Sequence, residues 1–172
     1  KARVPKGPPQ DERRIEAPPA RPRAQWLSRE ARMAPPGQNA HAAKRQGETN
    51  ALNDLEKQGF ITFHQVGCQN CHNGPYVGGG MFQKAGLVRP WPTVKDQGRY
   101  EVTKKDQDRM VFKVPSLRNI EKTWPYFHDG TEAALDDAVR KMGEHQVERP
   151  LTDSEIKNIA AWLKSLTGEV PA

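Results

Sequence analysis

Residues 67–75 read GCQNCHNGP and hold both cysteines of the chain, Cys68 and Cys71, with His72 directly after them. Two thiols and an imidazole this close together must serve one centre, and the rest of the chain must fold around whatever they hold. A structural zinc ion takes about four ligands, and the sequence offers no second CxxC or HxxxH to complete the set. A thioredoxin-type redox pair stands after a strand in a βαβ pattern, whereas this pair follows a helical pattern. A plain disulfide leaves the histidine unexplained.

Covalent haem c explains all three residues. Thiols at this spacing reach the two vinyl groups of one porphyrin, and the next residue falls beneath the iron as its proximal ligand. The expected cofactor is therefore one haem c, bound through Cys68 and Cys71 with His72 on the iron. Thiols must be reduced when the thioethers form, and that chemistry is commonly carried out outside the cytoplasm. A periplasmic, exported chain is the expectation. KARVPKGPPQ at the N-terminus shows no apolar signal region, which fits a mature chain after cleavage.

The second axial ligand is open on residue type alone. Thioether sulfur and imidazole both suit low-spin haem iron. The candidates are Met33, Met81, Met110, Met142, His41, His64, His128 and His145. Met142 stands out because it ends a helical pattern whose apolar side must pack on something broad.

Charge divides the chain in two. Residues 1–45 carry 11 Lys and Arg against 4 acids, a net +7, and eight of the 15 prolines. They read as an extended basic arm for docking on a partner, with AQWLSREARM at 24–33 as a possible short helix. Residues 46–172 carry 16 cations and 17 acids, a net −1, and read as the haem domain. The chain has no apolar run long enough to span a membrane. Nucleic acid is an unsuitable partner for an exported haem protein despite the basic arm.

The domain is expected to be mainly α. A helix is predicted from Asn53 to His64, with Leu55, Phe60, Ile61 and Phe63 on its apolar side and Gly67 ending it. Residues 73–115 are rich in Gly and Pro and read as a long loop with a short strand pair. A helical turn is expected over Ser116–Ile120. Thr131 is predicted to cap a helix running to Met142, with Gly143 just past its end. Thr152-Asp-Ser-Glu155 is a capping box, and Ile156, Ile159, Ala160 and Leu163 follow helical spacing after it. Trp91, Trp124 and Trp162 read as core or haem packing, and Arg118 and Lys113 as solvated charges or propionate partners. His128 reads first as a structural loop histidine, with a proton-linked group near a haem propionate as the alternative.

From about residue 50 to 170 the chain resembles the C-terminal, electron-transferring haem domain of the bacterial dihaem cytochrome c peroxidase and MauG family. The resemblance rests on CQNCHNGP at 68–75, GGGMFQKAGL at 78–87, DQGRYEVTKKDQDRMVFKVPSLRNI at 96–120, TWPYFHDG at 123–130, LDDAVRKMGEHQ at 135–146 and SLTG at 165–168. It implies a c-type cytochrome domain of cytochrome c peroxidase type, mainly α, with long loops wrapping one haem. It also implies Met142 as the distal ligand, where MauG-like members have tyrosine. Carbonyls near Thr123-Trp124-Pro125 would contribute to a Ca2+ site completed by a second domain.

Family peroxidases carry two CxxCH motifs and react with peroxide at the N-terminal haem, whereas this sequence has one motif. A His/Met iron offers peroxide no open position. The expected role is electron transfer, as the cytochrome subunit of a larger periplasmic redox complex that also meets a soluble electron carrier. The alternative is the haem-bearing half of a peroxidase- or MauG-like enzyme whose catalytic haem lies on another chain. A ligand-sensing haem domain is a third possibility.

Overall fold

The computed structural model describes residues 51–168. The expectations for the arm at 1–45, for its helix at 24–33, and for Met33 and His41 as ligands fall outside the described residues.

Helix α1 spans Asp54–Gln65. Asn53 caps it reciprocally: its side-chain oxygen accepts from the Glu56 amide at 2.9 Å, and the Glu56 carboxylate accepts from the Asn53 amide at 2.9 Å. This box removes two unpaired donors at the helix start. Gly67 follows the helix at φ 90°, a left-handed turn that glycine enters without steric penalty.

The buried side of α1 differs from the expected one. Phe63 is buried as predicted, but its companions are Gly59 and Thr62, while Leu55, Phe60 and Ile61 are exposed. The reason is close helix packing. Helix α4, Asp153–Lys164, runs so near α1 that a Cβ on Gly59 would lie 1.9 Å from the Asn158 carbonyl oxygen. Glycine lets the backbones meet, and that contact sets the rotation of the helix.

Helix α4 matches expectation closely. The Thr152 hydroxyl accepts from the Glu155 amide at 3.2 Å, and Glu155 accepts from the Thr152 amide at 2.9 Å. Ile156, Ile159, Ala160 and Leu163 are all buried, together with Trp162. They form the centre of a core that includes Phe63, Val77, Leu117, Val139, Leu151 and Leu166.

Between α1 and the later helices lie short elements. Strands β1, Phe82–Lys84, and β2, Val111–Lys113, pair antiparallel with Gln83 opposite Phe112, the expected strand pair. Helix α2, Tyr100–Thr103, stands on the excursion between them. The turn expected over Ser116–Ile120 is displaced: a 3₁₀ turn occupies Ile120–Lys122 instead. The Ser116 hydroxyl donates to the Tyr76 carbonyl at 2.6 Å, which ties this stretch to another segment rather than to a local helix.

Helix α3 spans Leu135–Gln146. Two expectations about it fail. Thr131 is not its cap, because the Thr131 hydroxyl and amide both donate to Asp129 and the helix starts later, after Ala134, without a side-chain cap. Gly143 does not end it, but sits buried inside it. A Cβ there would come within 2.7 Å of Leu151 Cγ, so the glycine makes room for the returning chain. Asp136 and Asp137 in the first turn oppose the positive end of the helix dipole.

Candidate functional site

The end of α1 delivers the CxxCH motif. Gly67 reverses the chain, and Cys68–Asn70 form a 3₁₀ turn. The Cys68 carbonyl accepts from both the Cys71 and His72 amides, at 3.3 and 3.0 Å. One tight turn thus gathers the two thiols and the imidazole. Both cysteines are free and half-buried, and Cys68 packs against the hydrophobic core.

Burial dominates the electrostatics of this turn. Burial, reinforced by the neighbouring Cys71, pushes the Cys68 thiol up to about 12, against a weaker opposing pull from a backbone hydrogen bond. Reactive and redox cysteines are tuned in the opposite direction. Among the described residues, no group of three or more His, Cys, Asp or Glu side chains could hold a metal ion, so a protein-only zinc site lacks donors.

His72 follows on the same turn. Burial draws its pKa below the ordinary histidine value, and the carbonyls of Pro115 and Val77 pull weakly the other way. Its Nδ1 is buried and faces these carbonyls, although neither meets hydrogen-bond geometry. The ring of Phe63 lies 6.4 Å from that of His72, and Trp162 backs Phe63 at 4.4 Å.

Strand β1 links this motif to α3. The Gln83 amide approaches Cys71 Sγ at 3.9 Å. One residue on, the Lys84 carbonyl accepts from Gln146 Nε2 at 3.1 Å, and Gln146 Oε1 accepts from the Leu87 amide at 3.0 Å. Gln146 lies one turn beyond Met142 on α3. The Val88 amide also donates to the His145 carbonyl at 3.0 Å. The loop after the cysteines is thus clamped to the end of the helix that carries Met142.

The second-ligand candidates are differently placed. Met142 is half-buried, as is Met81 beside β1. Met110 is buried at φ 58° and is hydrogen-bonded through its backbone to Gln97 and Ala85, a scaffold position. Each described histidine other than His72 has its own contact. His64 Nδ1 lies 2.9 Å from the Phe60 carbonyl, and His145 Nδ1 lies 3.2 Å from that of Arg89. His128 stacks on Phe112 at 4.0 Å, which accords with a structural role.

Two expectations about flanking residues are narrowed, each losing one of its two alternatives. Trp91 and Trp162 are buried, but Trp124 is 63% exposed and belongs to no core. Lys113 is exposed, whereas Arg118 is buried at 4% exposure, because the chain returning from β2 carries it under the Tyr76 ring. Sequence reasoning also missed Gln83, Gln146 and the backbone cradle around His72. The Gly78-Gly79-Gly80 run was the one local sign of that cradle.

A helix-rich fold, with one two-stranded sheet among the described residues clamping a CxxCH turn to a methionine-bearing helix, defines a class of c-type cytochrome domain. Comparison with known proteins agrees. The chain is 50% identical over 127 residues to the cytochrome c551 peroxidase of Nitrosomonas europaea, and 41% identical over 129 residues to that of Pseudomonas aeruginosa. Each match takes in 73% of this chain, but only 38% and 37% of the relative. The crystal structure of a MauG-like protein associated with microbial copper homeostasis aligns with a TM-score of 0.68 at 25% identity, over 77% of this chain and 49% of that one. No family model matches the sequence. The chain belongs to the cytochrome c peroxidase and MauG family, and it spans well under half the length of the peroxidases it matches.

Proposed function

We propose that this domain transfers electrons through one covalently bound haem c. Cys68 and Cys71 would form the thioethers, and His72 and Met142 would be the axial ligands. The observation that carries this reading is the single turn that gathers Cys68, Cys71 and His72, with His72 Nδ1 buried within the protein at its end. With Nδ1 turned into the protein interior, Nε2 is the nitrogen left for iron. A metal-ligating imidazole must be neutral, and burial favours that form.

When bound, the haem supplies one-electron ferric/ferrous chemistry, at a potential that methionine ligation raises. The chain's own residues supply the surroundings. Phe63 and Trp162 back the proximal histidine with apolar rings, Gln83 braces Cys71, and Gln146 fixes the loop over the end of α3.

Around this centre we place the remaining parts of the reading. Export to the periplasm fits covalent haem attachment, and no helix of the described residues is long and apolar enough to cross a membrane. The basic arm at 1–45 would dock the domain on a larger redox subunit, and a soluble carrier would exchange electrons with it. Truncating the arm should spare the haem spectrum and weaken the complex most in low salt, where the arm's charge is least screened. Ca2+ near Thr123-Trp124-Pro125 would require a ligand from a second domain.

A second reading is favoured by the span of the matches. The relatives named as peroxidases have more than half their length outside the region matched here, and a peroxide-reactive haem would lie in such a region on another chain. The test is Met142→His in the haem-loaded protein. A lower midpoint potential with a retained low-spin spectrum supports Met142 as ligand; an unchanged potential rejects it. Peroxide turnover by the isolated wild-type domain would reject the electron-transfer role.

A further inference from the structure

Successive side chains of a strand point to opposite faces, and the strand pair β1–β2 divides its side chains accordingly. Gln83 and Phe112 stand opposite each other on one face. Gln83 approaches Cys71 Sγ at 3.9 Å and Phe112 stacks on His128 at 4.0 Å, so this face looks into the domain. Phe82 and Lys113 form the neighbouring pair and share the other face with Lys84. All three are exposed, Phe82 at 53%. The Arg99 guanidinium lies over the Phe82 ring, 5.3 Å from its centre, and is anchored by the buried Asp108 at 3.4 Å. The outer face is thus one aromatic ring among three cations, a single strand pair away from the CxxCH turn. Its surroundings have the same sign. Residues 82–113 carry eight Lys and Arg against four acids, a net +4, whereas the other described residues carry eight against eleven, a net −3.

We propose that this outer face is the docking surface for an acidic, soluble one-electron carrier protein. The proposal rests on the electron-transfer reading above and adds where the carrier lands and what charge it bears. Carboxylates of the carrier would meet Lys84, Arg99 and Lys113, and an apolar patch would cover Phe82. Aromatic and Arg side chains supply much of the affinity at such contacts, while the basic field steers the encounter. The carrier is oxidised by one electron and the ferric iron is reduced by the same electron, with no bond made or broken. Docked here, the carrier faces Cys71 across one strand pair. The arm at 1–45 is a poor occupant of this face, since its net +7 is repelled by a basic surface. Charge alone would also draw nucleic acid; the redox motif behind the sheet favours the carrier.

The test is stopped-flow electron transfer from a reduced acidic cytochrome c to the haem-loaded full chain. Lys84→Glu combined with Lys113→Glu should slow the reaction about tenfold or more at low salt, and the deficit should shrink as salt rises. Lys157→Glu combined with Lys164→Glu, both exposed on α4, changes the net charge equally and should leave the rate near wild type. The arm's charge is common to all three proteins, so their difference isolates the sheet. Should the sheet variant fail to fold, the wild-type chain still decides: carbodiimide coupling to the acidic cytochrome, mapped by peptide mass, should join carboxylates to Lys84 or Lys113. Coupling confined to residues 1–45 or to α4, or equal slowing by the two charge reversals, overturns the docking face while leaving the haem reading intact. Duplex DNA binding lost in the sheet variant, with its carrier rate unchanged, would assign the face to nucleic acid and overturn the proposal too. A wild-type chain matured without covalent haem overturns both the docking face and the haem reading.

Discussion

Gly59→Ala separates the fold described here from helix propensity alone. Glycine inside a helix is less favourable than alanine by about 1 kcal/mol, so propensity predicts that the substitution stabilises. Packing predicts the reverse. The new Cβ would lie 1.9 Å from the Asn158 carbonyl oxygen, 2.7 Å from its carbon and 2.8 Å from Trp162 Cβ. Comfortable non-bonded separation is about 3.5 Å, so α1 and α4 must part by roughly 1.5 Å. The obstacle is backbone, which no rotamer change relieves. Overpacking typically costs about 1–3 kcal/mol, and a forced separation of the two best-packed helices belongs at or above the top of that range. Net of the propensity gain, the loss is about 2 kcal/mol, or roughly 8 °C in Tm for a domain of this size. Thermal unfolding followed by circular dichroism reads it directly. Gln58→Ala, exposed on the same helix, should move Tm by no more than a degree or two. A Gly59→Ala protein as stable as wild type would refute the close α1–α4 contact.

Three further outcomes follow from particular contacts. Glu155 is held down to about 2, chiefly by its hydrogen bonds with Arg149 and then by the Thr152 amide. A depressed folded pKa gives stability that is present above the ordinary carboxylate value of 4.5 and lost as pH falls through about 2. Arg149→Ala should therefore flatten the fall of Tm with acid across that window, and an unchanged acid profile would contradict the pairing. Gln146→Leu removes both side-chain hydrogen bonds to the loop at 84–87, about 1–2 kcal/mol together. Faster hydrogen exchange at the Leu87 amide should report it, and unaltered exchange would argue against the clamp. Trp162→Ala empties a site with 1% exposure at the centre of the core and should cost about 3–5 kcal/mol by chemical denaturation; a loss under about 1 kcal/mol would count against that placement.

Residues whose role is settled by near neighbours were legible in the sequence, and those settled by distant chain were not. Thr152 and Glu155 announce α4 because a capping box needs only its own turn. The spacing of Ile156, Ile159, Ala160 and Leu163 then names the buried side. The CxxCH turn is legible for the same reason. Gly143 misled because local rules read glycine as a helix end, whereas it makes room for Leu151; Gly59 gave no local sign that it admits the Asn158 backbone and so sets the buried side of α1. Thr131 looked like a cap, yet Asp129, two residues earlier, claims its hydroxyl. At the site, the cradle of His72 escaped because Gly78 and Pro115 meet only in the folded chain. Gln83 and Gln146 escaped because an isolated glutamine carries no pattern.

The central claim is tested most directly by mass and colour together. The chain is expressed with the machinery for covalent haem attachment, denatured, extracted with acidified acetone and weighed. The account predicts red polypeptide with the mass of the chain plus one haem, and Cys68→Ala should bind haem through a single thioether. Colourless polypeptide of unmodified mass, with all the haem in the acetone, would contradict it.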